Sequence, residues 1–197
     1  MAAVRQDGQQ RKDPVSMKPA IPWIEGALTQ EKLASALRVL AGATWCGGQV
    51  QIKGTSRTWE MALYTSVGVT LIAYDDARHY TDPERMRFDR ETTRIAERRG
   101  HPFVRFPYWV QLDTLTLHHF FGLDAEIVSA VPHGFGTASG LPVDFCEDGL
   151  RRFIRELQAL PRAVGDTVVQ SLRDRAAALG IHRVLPTRLR YLAEKGK

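Results

Sequence analysis

Acidic residues and a histidine are concentrated between positions 60 and 79. Glu60 lies in a predicted strand over residues 55–64, Asp75 comes directly after a second strand over residues 67–74, and His79 follows. A hairpin can bring Glu60 and Asp75 side by side. Carboxylate oxygens held close together bind divalent metals, and a histidine can act as a general acid or base or orient a phosphate. The pattern favours metal-dependent chemistry on a phosphate, with Glu60 and Asp75 as ligands.

One position in this pattern lacks a carboxylate. Side chains alternate along a strand, so residues 73 and 75 point to the same face of the sheet, and Ala73 offers no ligand there. Asp76 is a candidate to replace it from a shifted strand end. Taken singly, these residues have ordinary explanations as exposed, strand-ending or packing positions. Only their combination with a neighbouring basic helix favours a polyanion site.

That helix is predicted over residues 83–99. At 3.6 residues per turn, four of its arginines form a narrow stripe, which is either a solvated face or a track for phosphate groups. The predicted nucleic-acid-binding set adds one earlier arginine to the stripe: Arg78, Arg87, Arg90, Arg94 and Arg98. Asp89 falls in the apolar half of the helix, so it either has an internal partner, for which His79 and Arg105 are candidates, or faces the active site.

The order of the predicted elements is typical of an α/β layer fold. A helix over 29–41 precedes the two strands, which are joined by a turn at Thr65–Ser66, and a short buried strand over 103–106 follows the arginine helix. Further helices are predicted over 113–121, 147–159 and 162–179. We therefore expect a central mixed sheet flanked by helices, divided into a disordered arm (1–20), an α/β core (21–112) and a helical C-terminal extension packed on the core (113–197).

Composition agrees with a soluble protein. The 197 residues are 44% hydrophobic and 25% charged, with a formal charge of +5, which modestly favours polyanionic partners. Two cysteines are too few for a disulfide framework or a structural zinc site, so a reducing cytoplasm is expected. No apolar run reaches the length of a membrane span, and no signal-peptide core precedes residue 18.

The motifs resemble those of the Vsr-like branch of the restriction-endonuclease-like, or PD-(D/E)XK, nucleases. The matching positions are Glu60, the run Ala73-Tyr-Asp-Asp-Ala-Arg-His79, Asp89, Gly100 and the run Phe103-Val-Arg-Phe106. Later motifs over residues 107–112, 132–135 and 141–146 are similar to those of short bacterial and phage proteins with the same core. The resemblance covers roughly residues 57–160.

The resemblance implies a metal-dependent endonuclease that cuts or nicks DNA with Mg²⁺ or Mn²⁺. By position, Glu60 and Asp75 become metal-site residues, His79 an accessory catalytic residue, and Asp89 and Arg105 supports of the site. Ala73 replaces the family glutamate. Three explanations fit this departure: a degenerate nuclease that binds without cutting, a carboxylate supplied by Asp76, or an engineered replacement of a natural glutamate. A single-site enzyme that cuts both strands would act as a homodimer.

Overall fold

The fold is mixed α/β, with a small mixed sheet flanked by helices. The computed structural model describes residues 23–47, 50–51, 53, 56, 58–59, 61–135 and 140–194. The strands are β1 (Trp23–Ile24), β2 (Val50–Gln51), β3 (Thr58–Trp59), β4 (Met61–Thr65), β5 (Gly68–Asp75), β6 (Phe103–Pro107) and β7 (Val128–Ser129). The helices are α1 (Gln30–Ala41), α2 (Arg78–Thr81), α3 (Pro83–Arg98), α4 (Thr114–Phe121), α5 (Glu147–Ala159), α6 (Arg162–Leu179), α7 (Ile181–Val184) and α8 (Tyr191–Glu194). The predicted arm over residues 1–20 lies outside the described residues.

The central sheet has the order β4-β5-β6. β4 and β5 form an antiparallel hairpin, and β6 runs parallel to β5 with Ala73 opposite Arg105. Thr65 pairs with Gly68, so the loop is Ser66–Val67 and lies one residue later than predicted. β1 pairs with β7, and β2 with β3, in two small separate sheets. The long strand β5 thus sits in the middle and delivers Asp75 at its carboxyl end.

Capping side chains set the helix starts that the sequence predicted. Thr29 accepts a hydrogen bond from the backbone of Lys32 at the start of α1, and Asp82 accepts from the first turn of α3. Gly100, with φ of 76°, follows the end of α3 in the left-handed region that glycine tolerates. The one-turn helix α2 was not predicted, because four residues are too few to show helical periodicity.

One hydrophobic core joins the sheet to the C-terminal helices. Its buried residues run from Ile24 to Leu189, and the largest include Trp109 and Phe153, which pack edge to face with ring centroids 4.9 Å apart. The helices after residue 113 therefore pack directly on the α/β layer. Among the described residues, none of the helices combines the length and hydrophobicity that a membrane span requires.

The contact between α2 and α5 depends on a glycine. A Cβ atom placed on Gly149 of α5 would lie 1.9 Å from the carbonyl oxygen of Tyr80 and 2.7 Å from its carbonyl carbon. The same carbonyl accepts a hydrogen bond from the backbone N–H of Cys146 at 3.0 Å. Only a residue without a side chain allows this approach, so Gly149 sets how closely α5 lies against the end of β5.

A buried histidine joins α4 to the loop after β7. His133 accepts a hydrogen bond at Nδ1 from the backbone N–H of Gln111 at 3.0 Å, so its Nε2–H donates to Asp113 at 2.7 Å. Asp113 also caps α4 by accepting from Thr116 at 2.8 Å. Burial raises the pKa of Asp113, but the hydrogen bonds from His133 and Thr116 outweigh burial, and the pKa lies below its ordinary value.

This lowered pKa predicts a pH-dependent effect of Asp113→Asn. Folding favours the carboxylate, so its contribution is present above the unfolded pKa of about 3.8 and is lost as the pH falls through the lower folded pKa. At neutral pH the variant should lose about 1.5–3 kcal/mol, the value of a charged hydrogen bond. Urea unfolding at neutral pH and at successively lower pH measures this loss, which should shrink in acid.

The control for this experiment is Asp124→Asn. The side chain of Asp124 is 85% exposed and pairs with the exposed His118. Its replacement should change stability little at any pH. A loss for Asp113→Asn that stays constant into acid would contradict the prediction.

Candidate functional site

Asp75 is a fully buried carboxylate held by two arginines. It is 0% exposed. Arg105 donates to both of its oxygens, from Nε to Oδ2 at 2.7 Å and from Nη2 to Oδ1 at 2.6 Å. Arg152 donates from Nη2 to Oδ2. Such charge-assisted, two-pronged contacts are the strong kind of ion pair and fix the carboxylate in place.

Asp89 is the second buried carboxylate, and it shares partners with Asp75. Nδ1 of His79 lies 2.6 Å from Oδ2 of Asp89 and 3.3 Å from Oδ1 of Asp75. Arg105 reaches Oδ1 of Asp89 at 2.9 Å. Burial raises the pKa of Asp89, but the hydrogen bond from His79 and the charge of Arg105 outweigh it and leave the pKa lowered. Both partners that the sequence suggested for Asp89 are therefore present.

The hydrogen bonds define the tautomer of His79. A carboxylate only accepts, so Nδ1 carries the proton donated to Asp89. Nη2 of Arg85 lies 3.3 Å from Nε2 and can donate to it. Nε2 is therefore the ring atom with a lone pair, and it faces Arg85, whereas Nδ1 faces the two carboxylates.

Arg152 is the functional residue that the sequence did not reveal. It lies on α5 and is only 8% exposed. It donates to Asp75, to the backbone carbonyl of His79 and, at 2.6 Å, to Glu156. Burial lowers its pKa, but nearby negative groups, with Asp75 and Glu156 among them, outweigh burial and raise it. One signal could have indicated a residue of this kind. If Asp75 and Asp89 are both buried, they need a second buried cation besides Arg105.

Asp75, His79 and Asp89 form a group that could hold a metal ion. Each offers a ligand atom, the three atoms lie within 4.8 Å of one another, and all three residues are buried. Carboxylate oxygens and an imidazole nitrogen suit a divalent ion. The two arginines already balance the charges of the two carboxylates, so an ion bound here would displace or weaken a guanidinium contact.

Ala73 faces a pocket beside this group. The pocket has a volume of about 220 Å³, and its lining includes Ala73, His79, Asp89 and Arg105. Ala73 stands opposite Arg105 in the sheet register. A carboxylate at position 73 would therefore enter the pocket next to a guanidinium group and on the same sheet face as Asp75.

The remaining predicted metal ligands are Glu60 and Asp76. Glu60 lies outside the described residues, so its predicted place beside Asp75 stays a prediction. Asp76 is half-exposed and accepts hydrogen bonds from the backbone and side chain of Arg78, the latter at 2.9 and 3.1 Å. The structure therefore places Asp76 and Arg78 in an exposed pair beside the group.

The structure divides the predicted arginine stripe of α3. Arg90 and Arg94 line a groove between α3 and α5, and the lining also includes Arg151 and Arg155 of α5. Arg87 and Arg98 are exposed and are absent from this lining. The basic surface therefore crosses from one helix to the next instead of following α3 along its length.

Aromatic residues near the end of β6 belong to the core. Phe106 and Trp109 are 0% exposed and Tyr108 is 8% exposed. They cannot contact an unpaired base without local unfolding, so they are not available to stack on one. His118 and His119 lie exposed on α4, and His118 pairs with Asp124 at 2.7 Å.

Comparisons with known proteins find no relative. No protein-family model, curated protein or solved structure matches this chain. Functional inference therefore rests on the geometry of the buried group, the pocket and the basic groove.

Proposed function

We propose that this protein is a metal-dependent DNA endonuclease or nickase with a restriction-endonuclease-like core, whose cleavage is weak because Ala73 supplies no carboxylate. The convergence of Asp75, His79 and Asp89 beside a pocket carries the proposal. The arginines of α3 and α5 supply positive charge close by. The proposed setting is the cytoplasm of a bacterium, with the gene carried by the bacterium or a phage, and a homodimer would allow both strands to be cut.

Each residue of the proposed site has a separate role. Asp75, His79 and Asp89 would hold Mg²⁺ or Mn²⁺, which supplies polarisation of a phosphate oxygen and a lower pKa of a bound water. Nδ1 of His79 is the ring atom that faces both carboxylates, so it would bind the ion after giving up the proton that it donates to Asp89. Arg105 anchors both carboxylates. Arg85, near Nε2, can orient a phosphate in the pocket.

A second candidate is a nuclease-fold module that binds DNA, or a protein partner, without cutting. The specific observation in its favour is that Arg105 and Arg152 already bind both oxygens of Asp75. A carboxylate compensated in this way is stable without an ion. Ala73 also favours this second candidate, because a methyl group cannot bind a metal.

The variant Ala73→Glu discriminates between the two candidates. It should raise Mg²⁺- or Mn²⁺-dependent nicking of supercoiled plasmid by about 100-fold, because losing a group that supports a metal site typically costs 10–100-fold or more. The matched control is Ala73→Gln, which has the same size but no charge and should leave nicking at the level of the unmodified chain. Chelation of the metal should abolish the gained activity.

Two results would count against the nuclease proposal. If Ala73→Glu and Ala73→Gln are equally inactive while salt-sensitive DNA binding persists, the binding module is supported instead. If neither DNA nor RNA binds at low salt, both candidates fail and a role in protein interaction becomes the better explanation.

A further inference from the structure

A basic groove lies next to the buried group and shares Asp89 and Arg105 with the lining of the pocket. It has a volume of about 520 Å³ and runs between α3 and α5. Its lining contains six arginines and three acidic residues: Arg90, Arg94, Arg105, Arg151, Arg152 and Arg155, with Asp89, Asp148 and Glu156. The groove therefore carries an excess of positive charge that the fold places on two rigid helices.

The acidic residues of the groove are already paired. Asp89 binds His79 and Arg105, and Glu156 binds Arg152 at 2.6 Å. Asp148 lies 3.1 Å from Arg90. Each carboxylate is thus compensated by a cation of the groove or its floor, and the positive excess must come from other side chains.

That excess comes from Arg94 and Arg155, one on each helix. Both are exposed, and neither forms an ion pair with any residue in the described part of the chain. Two uncompensated guanidinium groups lining one groove repel each other, and an anion between the helices would relieve that repulsion. Guanidinium groups present donors in a planar fork that matches the oxygens of a phosphate.

The lining also indicates which part of a nucleic acid would enter. Among the described residues, the lining contains no aromatic ring, and the aromatic residues near the end of β6 are buried. Proteins that bind unpaired strands usually stack bases on aromatic side chains. A groove with arginines and without such rings suits the phosphates of a duplex, which fix position without reading bases.

We propose that the groove between α3 and α5 binds backbone phosphates of duplex DNA, with Arg94 and Arg155 as the principal contacts. The proposal rests on the proposed function for the identity of the polyanion. It differs from a track along α3 alone, because it assigns the contacts to both helices and excludes Arg87 and Arg98.

Two double variants with equal net charge test this assignment. Binding of a labelled DNA duplex, without divalent metal, is measured by fluorescence anisotropy over a series of salt concentrations. Arg94→Gln/Arg155→Gln should weaken binding by about tenfold at low salt and reduce the salt slope by about 2, since each lost phosphate contact removes about 0.9 from it. Arg87→Gln/Arg98→Gln should change affinity by less than about twofold. Thermal unfolding verifies that both variants are folded.

Several results would overturn the assignment. If both variants lose the same DNA affinity, binding depends on net charge and not on the groove. If the Arg94/Arg155 variant loses no affinity, these two arginines do not contact DNA. Tighter binding of single-stranded DNA would exclude a duplex site. Full competition by inorganic pyrophosphate at matched ionic strength would assign the groove to a small phosphate ligand instead of DNA.

The outcomes separate this proposal from the nuclease proposal. If duplex binding depends on Arg94 and Arg155 but Ala73→Glu does not nick DNA, the groove proposal is supported and the nuclease proposal is contradicted. If Ala73→Glu nicks DNA and the loss of Arg94 and Arg155 has no effect on nicking, the nuclease proposal is supported and the groove proposal is contradicted.

Discussion

Asp75→Asn should lower the free energy of unfolding by about 3–5 kcal/mol, the usual cost of removing one partner from a buried ion pair. The asparagine has nearly the same size but no charge, so the loss comes from electrostatics and not from a cavity. Arg105 and Arg152 would remain buried with one fewer anion between them. Urea unfolding followed by circular dichroism measures the effect as a lower midpoint at an unchanged slope.

Asp76→Asn is the matched control for this prediction. Asp76 is the next residue, and its side chain is 42% exposed and pairs with the exposed Arg78. Its replacement should cost less than about 1 kcal/mol, as is typical of surface pairs. If both variants cost the same, Asp75 does not anchor the arginines in the way its contacts indicate.

A double-variant cycle measures how strongly Asp75 and Arg152 are coupled. Arg152→Met keeps an apolar side chain over Tyr80, whose ring centre lies 4.7 Å from the guanidinium carbon, but it also removes the cation that binds Glu156. The loss of stability in Asp75→Asn/Arg152→Met should be smaller than the sum of the two single losses, because each single change already removes the contact between Asp75 and Arg152. Additive losses would contradict this account.

Gly149→Ala should destabilise the protein by about 2 kcal/mol. The added Cβ would lie 1.9 Å from the carbonyl oxygen of Tyr80, and because the clashing atoms are backbone they cannot rotate away. So close an approach puts the cost of overpacking at the upper end of its usual range, about 3 kcal/mol, from which the roughly 1 kcal/mol that alanine gains over glycine in a helix is subtracted. Thermal or urea unfolding checks the result.

Gly165→Ala provides a control with the opposite expected sign. Gly165 lies on α6, and the nearest atom to its added Cβ is a carbonyl oxygen 3.7 Å away, an ordinary contact. The alanine should stabilise the protein by about 0.5–1 kcal/mol through helix propensity. A stable Gly149→Ala would mean that α5 can move away from α2 at little cost.

Local signals in the sequence were sufficient for much of the fold. Caps and punctuating residues marked the helices: Thr29 begins α1, Asp82 with Pro83 begins α3, and Pro161 separates α5 from α6. The nearly continuous apolar run in β5 is typical of a strand that is buried on both faces of a sheet. These features act over a few residues, so composition and spacing report them directly. The one-turn helix α2 and the loop after β4 were missed or shifted because their signals are equally short but weaker.

The candidate site was predictable only in part, because its key contact spans distant residues. His79 and Arg105 were suggested as internal partners of Asp89, and both contact it. The role of Arg152 was not predicted, because its pair with Asp75 joins positions 77 residues apart. The sequence of α5 does not indicate which of its arginines is buried. Its spacing from Gly149 and Glu156 places all three on one helix face, but that pattern gains meaning only once Tyr80 lies against the glycine.

Asp89 and Arg105 belong to the lining of both cavities, the pocket that contains Ala73 and the groove that contains Arg94. Because both cavities share Arg105, a ligand that shifts Arg105 in one cavity alters the electrostatic environment of the other. Occupancy of the two compartments is then thermodynamically linked, and the linkage is reciprocal: if filling the first changes the affinity of the second by some factor, filling the second changes the first by the same factor.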